Sequence, residues 1–174
     1  MWQPNMFVVN AGKAPGGWIG PPWDIWITES TDLLHWGQAT ELLRTDQLDY
    51  ANAKIGAGAP PIRTDRGWLC IIHGDDIDPR RGKNGWEPRW HGRYHAGAML
   101  LDLEDPRKVI AWSRAPLLTP ETPCELEGGY RNNVVFVTTA LREEDGRLRM
   151  YYGAADTYVC IATARLDDVL EFCS

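Results

Sequence analysis

Apolar and β-branched residues recur along this chain in runs of four to eight: Met6–Val9, Asp24–Thr28, Gly67–His73, Ala96–Leu103, Val134–Thr139, Leu148–Tyr152 and Tyr158–Ala164. Clusters of Gly, Pro, Asp and Asn separate them. Runs of this length with such punctuation predict strands, and no long segment carries a 3.6-residue period. Only Asp167–Phe172 reads as a short terminal helix. Glu144-Asp145-Gly146 predicts a hairpin turn, because Asp-Gly supplies the positive φ that a tight turn needs. Thr64-Asp65-Arg66-Gly67 predicts a second. The fold class expected is all-β.

Internal repetition sharpens this expectation. The stretch from Asp24 to Trp36, followed by Leu42-Leu43, resembles the stretch from Met99 to Trp112, followed by Leu117-Leu118. Gly67–Gly74 likewise resembles Gly146–Gly153, at nearly the same interval. Each unit reads as a hairpin, a third strand, and a fourth strand bearing Trp or Leu. Such four-stranded units suit the blades of a β-propeller. The interval is longer than the roughly 40–50 residues of compact propeller repeats, so long loops are expected. Long loops on a rigid scaffold are where binding residues gather. About two units and part of a third are present, whereas closed propellers typically use about four to eight blades. The expectation is therefore an incomplete ring, or one that closes by self-association through open strand edges.

Composition narrows the function. The 174 residues hold 44% hydrophobic and 24% charged positions, ordinary for a globular chain, and the net charge is −6. No basic stripe is present, which argues against nucleic acid as a partner. No apolar run reaches the ~20 residues of a membrane span, and no signal peptide is apparent, so a cytoplasmic location is expected. The four Cys lack metal-ligand spacing and read as reduced thiols; no metal and no cofactor are expected. Nine Trp is a high count, which suits either blade packing or a sugar-stacking surface.

Several polar residues stand out. Lys54 precedes Gly56, Gly58 and the pair Pro60-Pro61. It reads either as part of a surface turn or as a point charge for an anion such as phosphate, with the glycines letting backbone approach a ligand. His73 ends a buried-looking strand, a position that is more often structural than catalytic. Asp156 follows Gly153-Ala154-Ala155. It reads either as a turn residue bonding local amides or as an acceptor for two sugar hydroxyls. Asn132-Asn133 is another polar loop feeding an apolar strand. The mixed-charge stretch Asp75–Lys83 reads as a solvated insertion.

Five blocks occur together in one order: KIGAGAPPIR from Lys54 to Arg63, GWLCIIHG from Gly67 to Gly74, Tyr94–Ile110, GYRNNVVF from Gly129 to Phe136, and Tyr151–Leu170. In this the chain resembles glycoside hydrolase family 130, the β-mannoside phosphorylases and related hydrolases, from residue 21 to the end. Residues 1–20 match poorly. The resemblance implies a five-bladed β-propeller, of which this chain holds the C-terminal two to three blades. It implies cleavage of a β-mannosidic bond by inorganic phosphate, with inversion, to α-mannose 1-phosphate. Phosphate is then a co-substrate and replaces the second carboxylate of an ordinary inverting glycosidase.

The same resemblance implies that Lys54 and His73 help bind phosphate and that Asp156 holds the mannosyl unit. Tyr94 and Asn133 sit in matching blocks as further sugar-site candidates. Arg131-Asn132-Asn133 departs from the Val-Pro-Asn of many mannooligosaccharide phosphorylases towards the mannosyl-glucose type, leaving open whether the partner is a β-mannoside oligosaccharide or mannosyl-glucose. The family's general-acid Asp and part of its Arg clamp are expected upstream, so no catalytic acid is assigned here. The expectation is a C-terminal part inactive by itself. The alternatives are a non-catalytic glycan- or phosphosugar-binding module and a β-mannoside hydrolase.

Overall fold

A computed structural model describes residues 5–11, 23–82, 84–87 and 90–173, the first strand by its backbone. The rest of the poorly matching stretch 1–20, and Lys83 of the expected insertion, lie outside the described residues.

Among the described residues, eleven strands form three antiparallel sheets. Sheet 1 holds β1 (Asn5–Ala11), β2 (Asp24–Ser30) and β3 (Thr40–Leu43) in that order. Sheet 2 runs β4 (Lys54–Ala57), β6 (Trp68–Ile77), β7 (Gly92–Leu101), β8 (Val109–Trp112), with β5 (Ile62–Arg63) also on β6. Sheet 3 runs β11 (Tyr158–Arg165), β10 (Arg147–Ala154), β9 (Val135–Arg142). Helix α1 (Pro123–Leu126) precedes sheet 3 and α2 (Leu166–Phe172) follows it, close to the expected terminal helix.

The middle sheet is sandwiched, and its sequence says why. Leu69 and Ile71 of β6 face sheet 3, packing with Val135, Val137, Leu148 and Met150. Cys70 and Ile72 point the other way, into a core with Ile25, Ile27 and Leu43 of sheet 1. A strand buried on both faces reads as a continuous apolar run rather than an alternating one. Each such side chain contributes roughly 1.5–3 kcal/mol of burial. The outer strand β11 alternates instead: Cys160, Ala162 and Ala164 pack inward, while Val159 and Ile161 are exposed.

The repeats map onto this order. In β6–β7–β8 and β1–β2–β3, a long strand is followed by the next and then by a short one. Trp112 lies in β8, but Trp36 lies ahead of β3 and not in it, so the two Trp are not equivalent. Only the middle sheet shows a four-strand path; its neighbours have three described strands each. Both expected turns are present. Gly146 adopts φ 82° between β9 and β10. Thr64 caps its turn through Oγ1 to the Gly67 carbonyl at 2.7 Å.

Two expectations are corrected. Asp75 is not in a solvated insertion. Strand β6 continues through it, paired with Tyr94 on one side and Lys54 on the other, and Asp75 is buried. Gly58 does not clear space for a ligand: a Cβ there would lie 2.7 Å from the Val137 carbonyl and 3.0 Å from that of Ile71. Its missing side chain lets sheet 3 close on sheet 2. All four cysteines are free, with Cys124 and Cys160 Sγ atoms 3.8 Å apart.

Candidate functional site

The apolar seam between sheets 2 and 3 turns polar at one end. Register explains the change. Along β6, the face carrying Leu69 and Ile71 next presents His73 and Asp75, because side chains alternate with period two. Asp75 is paired with Lys54 of β4 and Tyr94 of β7, and His73 with Gly56 and Ala96. Sheet 3 meets this end with Phe136 and with two loops: 128–134, which leads into β9, and 155–157, which joins β10 to β11.

A hollow of about 280 Å³ opens there, lined by Lys54, Tyr94, Arg131, Val134, Phe136 and Asp156. Lys54 Nζ sits 5.0 Å from the Tyr94 ring centroid and 5.9 Å from that of Trp23, a cation over two aromatic faces. Burial pulls the Lys54 ammonium below its usual range; Arg131 adds to that, while Asp75 and Asp156 oppose it. Across the hollow, Arg131 Nη1 is 3.7 Å from Asp156 Oδ2. Arg131 also binds Glu87 through Nε and lies over the Trp90 ring at 5.2 Å. Desolvation raises the pKa of Asp156, against the attraction of Arg131.

Both loops carry backbone in the left-handed region without glycine. Ala155 and Asp156 have φ 49° and 51°, and Asn133 has φ 60°. Such conformations are held by their surroundings. Asn133 N donates to the Glu125 carbonyl at 2.8 Å, and the Asn133 carbonyl accepts from Tyr94 N at 2.9 Å. Its Nδ2 donates to Asn84 Oδ1 at 2.7 Å. Ala155 N donates to Val134 O, and Arg131 N to Ala155 O, stitching the two loops together. Glu125 anchors the first loop from α1. Burial by itself raises its pKa, but hydrogen bonds from the Tyr152 hydroxyl at 2.6 Å and the Glu121 and Thr122 amides outweigh that and hold it low.

The residues expected at a site are thus partly assembled. Lys54, Tyr94 and Asp156 share one hollow. His73 lies behind its wall, its ring 4.6 Å from that of Phe136 and 5.5 Å from that of Tyr94. Neither of its nitrogens has a hydrogen-bonding side chain or main-chain partner at normal geometry among the described residues. Burial, helped by Lys54 and opposed weakly by the Ala57 backbone, lowers its pKa to about 4, so the ring is neutral at neutral pH. Asn133 shapes the loop and its side chain is committed to Asn84.

Sequence reasoning missed Arg131 and Asp75. Arg131 was noticed only as a departure from a motif; its place in a Gly-rich loop ahead of a strand was the available signal. Asp75 had none, since its burial follows from non-local pairing. Desolvation pushes its pKa up to about 7, against the pull of Lys54, and Oδ1 has no partner among the described residues. Among the described residues, no three His, Cys, Asp or Glu side chains are grouped to hold a metal ion, and no helix is long and apolar enough to cross a membrane.

Antiparallel sheets stacked face to face, with a charged and aromatic hollow at one end of a seam, suit part of a β-propeller. Residues 19–174 match a family described as beta-1,4-mannooligosaccharide phosphorylase. The chain belongs to that family, glycoside hydrolase family 130, whose members are five-bladed propellers, and it covers part of one. It is 38% identical over 146 residues to a 1,2-beta-oligomannan phosphorylase of Thermoanaerobacter sp. (strain X514), covering 84% of this chain and 44% of that protein. It is 33% identical over 163 residues to a beta-1,4-mannooligosaccharide phosphorylase of Ruminococcus albus, covering 94% and 44%. The structure of the beta-1,2-mannobiose phosphorylase from Listeria innocua, in complex with beta-1,2-mannobiose, superposes with a TM-score of 0.79 at 31% identity, covering 99% of this chain and 44% of that one. The chain thus spans less than half the length of these relatives.

Proposed function

We propose that this chain supplies the mannosyl- and phosphate-gripping part of a β-mannoside phosphorylase. The observation that carries this reading is the convergence of Lys54, Arg131 and Asp156 on one hollow, in a chain whose relatives are β-mannoside phosphorylases. Asp156 accepts hydrogen bonds from two hydroxyls of the mannosyl ring. Lys54 and Arg131 hold the phosphate dianion for in-line attack at C1, where positioning and charge stabilisation replace a catalytic base. Tyr94 forms the wall between them. His73 and Asn133 are positioning residues: the first backs Tyr94 and Phe136, the second holds the loop from which Arg131 projects. The general acid that protonates the leaving oxygen is an Asp that the described residues do not place on this hollow.

The whole enzyme would be inverting and use phosphate as co-substrate. The outward face of β11, with Val159 83% and Ile161 57% accessible, and its place as the last strand of its sheet support burial against another β element, which we assign to a second copy of the chain. Sedimentation of the isolated chain tests that: concentration-dependent association is expected, and a monodisperse monomer contradicts it.

The functional reading is tested by calorimetric titration of the 174-residue chain with mannose and with inorganic phosphate. Both bind; Asp156→Ala weakens the first by roughly 30-fold or more and Lys54→Ala weakens the second by at least about tenfold. Failure of the unmodified chain to bind either compound overturns the reading. Release of free mannose from mannobiose without phosphate contradicts phosphorolysis and favours a hydrolase.

A further inference from the structure

Two of the four cysteines meet. Cys124 lies in α1 and Cys160 in β11, 36 positions apart along the chain, yet their Sγ atoms are 3.8 Å apart, in van der Waals contact. Both are free and half-buried, whereas Cys70 and Cys173 are buried. Neighbouring bonds fix this contact. Cys160 is paired in register with Tyr152 of β10. The Tyr152 hydroxyl donates to Glu125 Oε1 at 2.6 Å, and Glu125 follows Cys124 in α1. Two adjacent residues of the helix thus meet two residues paired across adjacent strands. One couple is joined by a hydrogen bond and the other by touching sulfurs.

The helix is a structural pivot. Its Glu125 carbonyl accepts from Asn133 N and Val134 N, so α1 anchors the loop that carries Arg131. At four residues it is too short to be held by its own hydrogen bonds and relies on tertiary contacts. The two thiols are also unlike. Cys124 Sγ is 3.2 Å from Thr122 Oγ1, a hydroxyl that can donate to a thiolate. Burial and the contact with Cys124 push the Cys160 thiol above its usual range. Since the thiolate is the nucleophile, Cys124 is the attacking sulfur and Cys160 the resolving one. Cys160 packs inward, on the face of β11 opposite the exposed Val159 and Ile161, so covering that outer face leaves the pair in place.

We propose that Cys124 and Cys160 form a modification site: a dithiol that hydrogen peroxide closes to an intrachain disulfide, strapping to β11 the helix that anchors the Arg131 loop. The Cys124 thiolate attacks one peroxide oxygen and breaks the O–O bond, giving a sulfenic acid and hydroxide, which takes up the proton Cys124 had released and leaves as water. The Cys160 sulfur then attacks the sulfenic sulfur, and the displaced hydroxide leaves as water with the Cys160 proton. Two thiols are oxidised by two electrons and one peroxide is reduced to two waters. A disulfide bond is about 2.05 Å long, so the sulfurs approach by roughly 2 Å, a closure that side-chain rotation and a one-turn helix can absorb. The inference is independent of which sugar or anion the hollow takes.

The test treats the folded 174-residue chain with hydrogen peroxide and follows it by thiol titration, intact mass and peptide mapping. Two of the four thiols disappear, the monomer loses the mass of two hydrogens, and the peptide bearing Cys124 is joined to the one bearing Cys160. Because the bond closes a 36-residue separation, the melting temperature rises by roughly 5–10 °C. The Asn133 and Val134 amides exchange with solvent at least about tenfold more slowly, since their acceptor is now fastened. Dithiothreitol reverses each change, and Cys124→Ser and Cys160→Ser show none of them. Four thiols surviving peroxide, oxygen added to sulfur without the 124–160 link, or a link between two chains would overturn the modification site. A linked monomer that melts and exchanges like the reduced chain would overturn the strap.

Discussion

The two seams of this molecule are built from the same three sheets yet end differently. Between sheets 1 and 2, buried ionisable groups are partnered. Tyr50 is 3.4 Å from Ser113 Oγ, which also accepts from Ala98 N, and His95 Nδ1 meets Thr119 Oγ1 at 2.9 Å. Between sheets 2 and 3, His73 and Asp75 are as deeply buried, yet both nitrogens of one and an oxygen of the other lack hydrogen-bond partners among the described residues. Buried polar groups are normally satisfied, so an unsatisfied pair calls for an explanation. Placed directly behind Lys54 and Tyr94, the pair lines the back of the proposed site; the other seam, where Tyr50 and His95 are partnered and the Trp112 indole nitrogen, among the described residues, is not, we assign to stability.

The largest effect expected on this contrast is at the site. Asp156→Ala lowers mannose affinity by roughly 30-fold or more, because charge-assisted hydrogen bonds to two hydroxyls are lost. Thermal stability changes little, and calorimetry beside a melting curve checks both. Next is Gly97→Ala in the stability seam. Its Cβ would lie 1.7 Å from the Tyr50 hydroxyl, and the resulting overpacking costs roughly 2–3 kcal/mol. Adding Tyr50→Phe recovers part of that loss in denaturant titration; no recovery would break the assignment of this contact.

Asp75 sharpens the contrast through pH. Its folded pKa, about 7, lies above the ordinary carboxylate value, so the folded state holds the extra proton between about pH 4 and 7. This group's contribution to stability is therefore full at low pH and is lost as pH rises through 7. Asp75→Asn removes that loss and gains roughly 2 kcal/mol at pH 8, with little change at pH 4. Chemical denaturation at the two pH values checks it.

The two histidines give the smallest effect. Both have pKa values lowered to about 4, mainly by burial, so both lose stability as pH falls from about 6.5. At pH 7, His95→Leu leaves Thr119 without its partner and costs roughly 1 kcal/mol. His73→Leu forfeits no hydrogen bond and costs less. Equal losses would erase the distinction between the seams.

Much of the fold was legible because its signals are local. Apolar runs marked the long strands, Asp145-Gly146 marked a hairpin, and the family blocks placed the whole. The short strands β4 and β5 escaped the run pattern, being too brief for it, and β3 and β8 were legible only as the Leu- and Trp-bearing strands of the repeats. At the site, Lys54 and Asp156 were singled out by their small-residue neighbours and Tyr94 only through the order of motifs; the three line one hollow. Asp75 was misread because Asp-Asp-Ile-Asp looks like a solvated loop; register with Lys54 and Tyr94 buries it, and register is a property of pairing between distant strands. Gly58 was misread in the opposite sense, since its conformational freedom was taken as room for a ligand when the Val137 carbonyl fills that room. Arg131 needed Asp156, a partner 3.7 Å away in space and far along the chain, to be recognised.

The central claim is that one cationic side chain and one carboxylate grip adjacent parts of a single ligand. α-Mannose 1-phosphate carries both parts. Its affinity for the unmodified chain, Lys54→Ala, Asp156→Ala and the double variant tests this most directly. The account predicts that each single change weakens binding at least tenfold and that the double change abolishes it; affinity unmoved by either single change would contradict it.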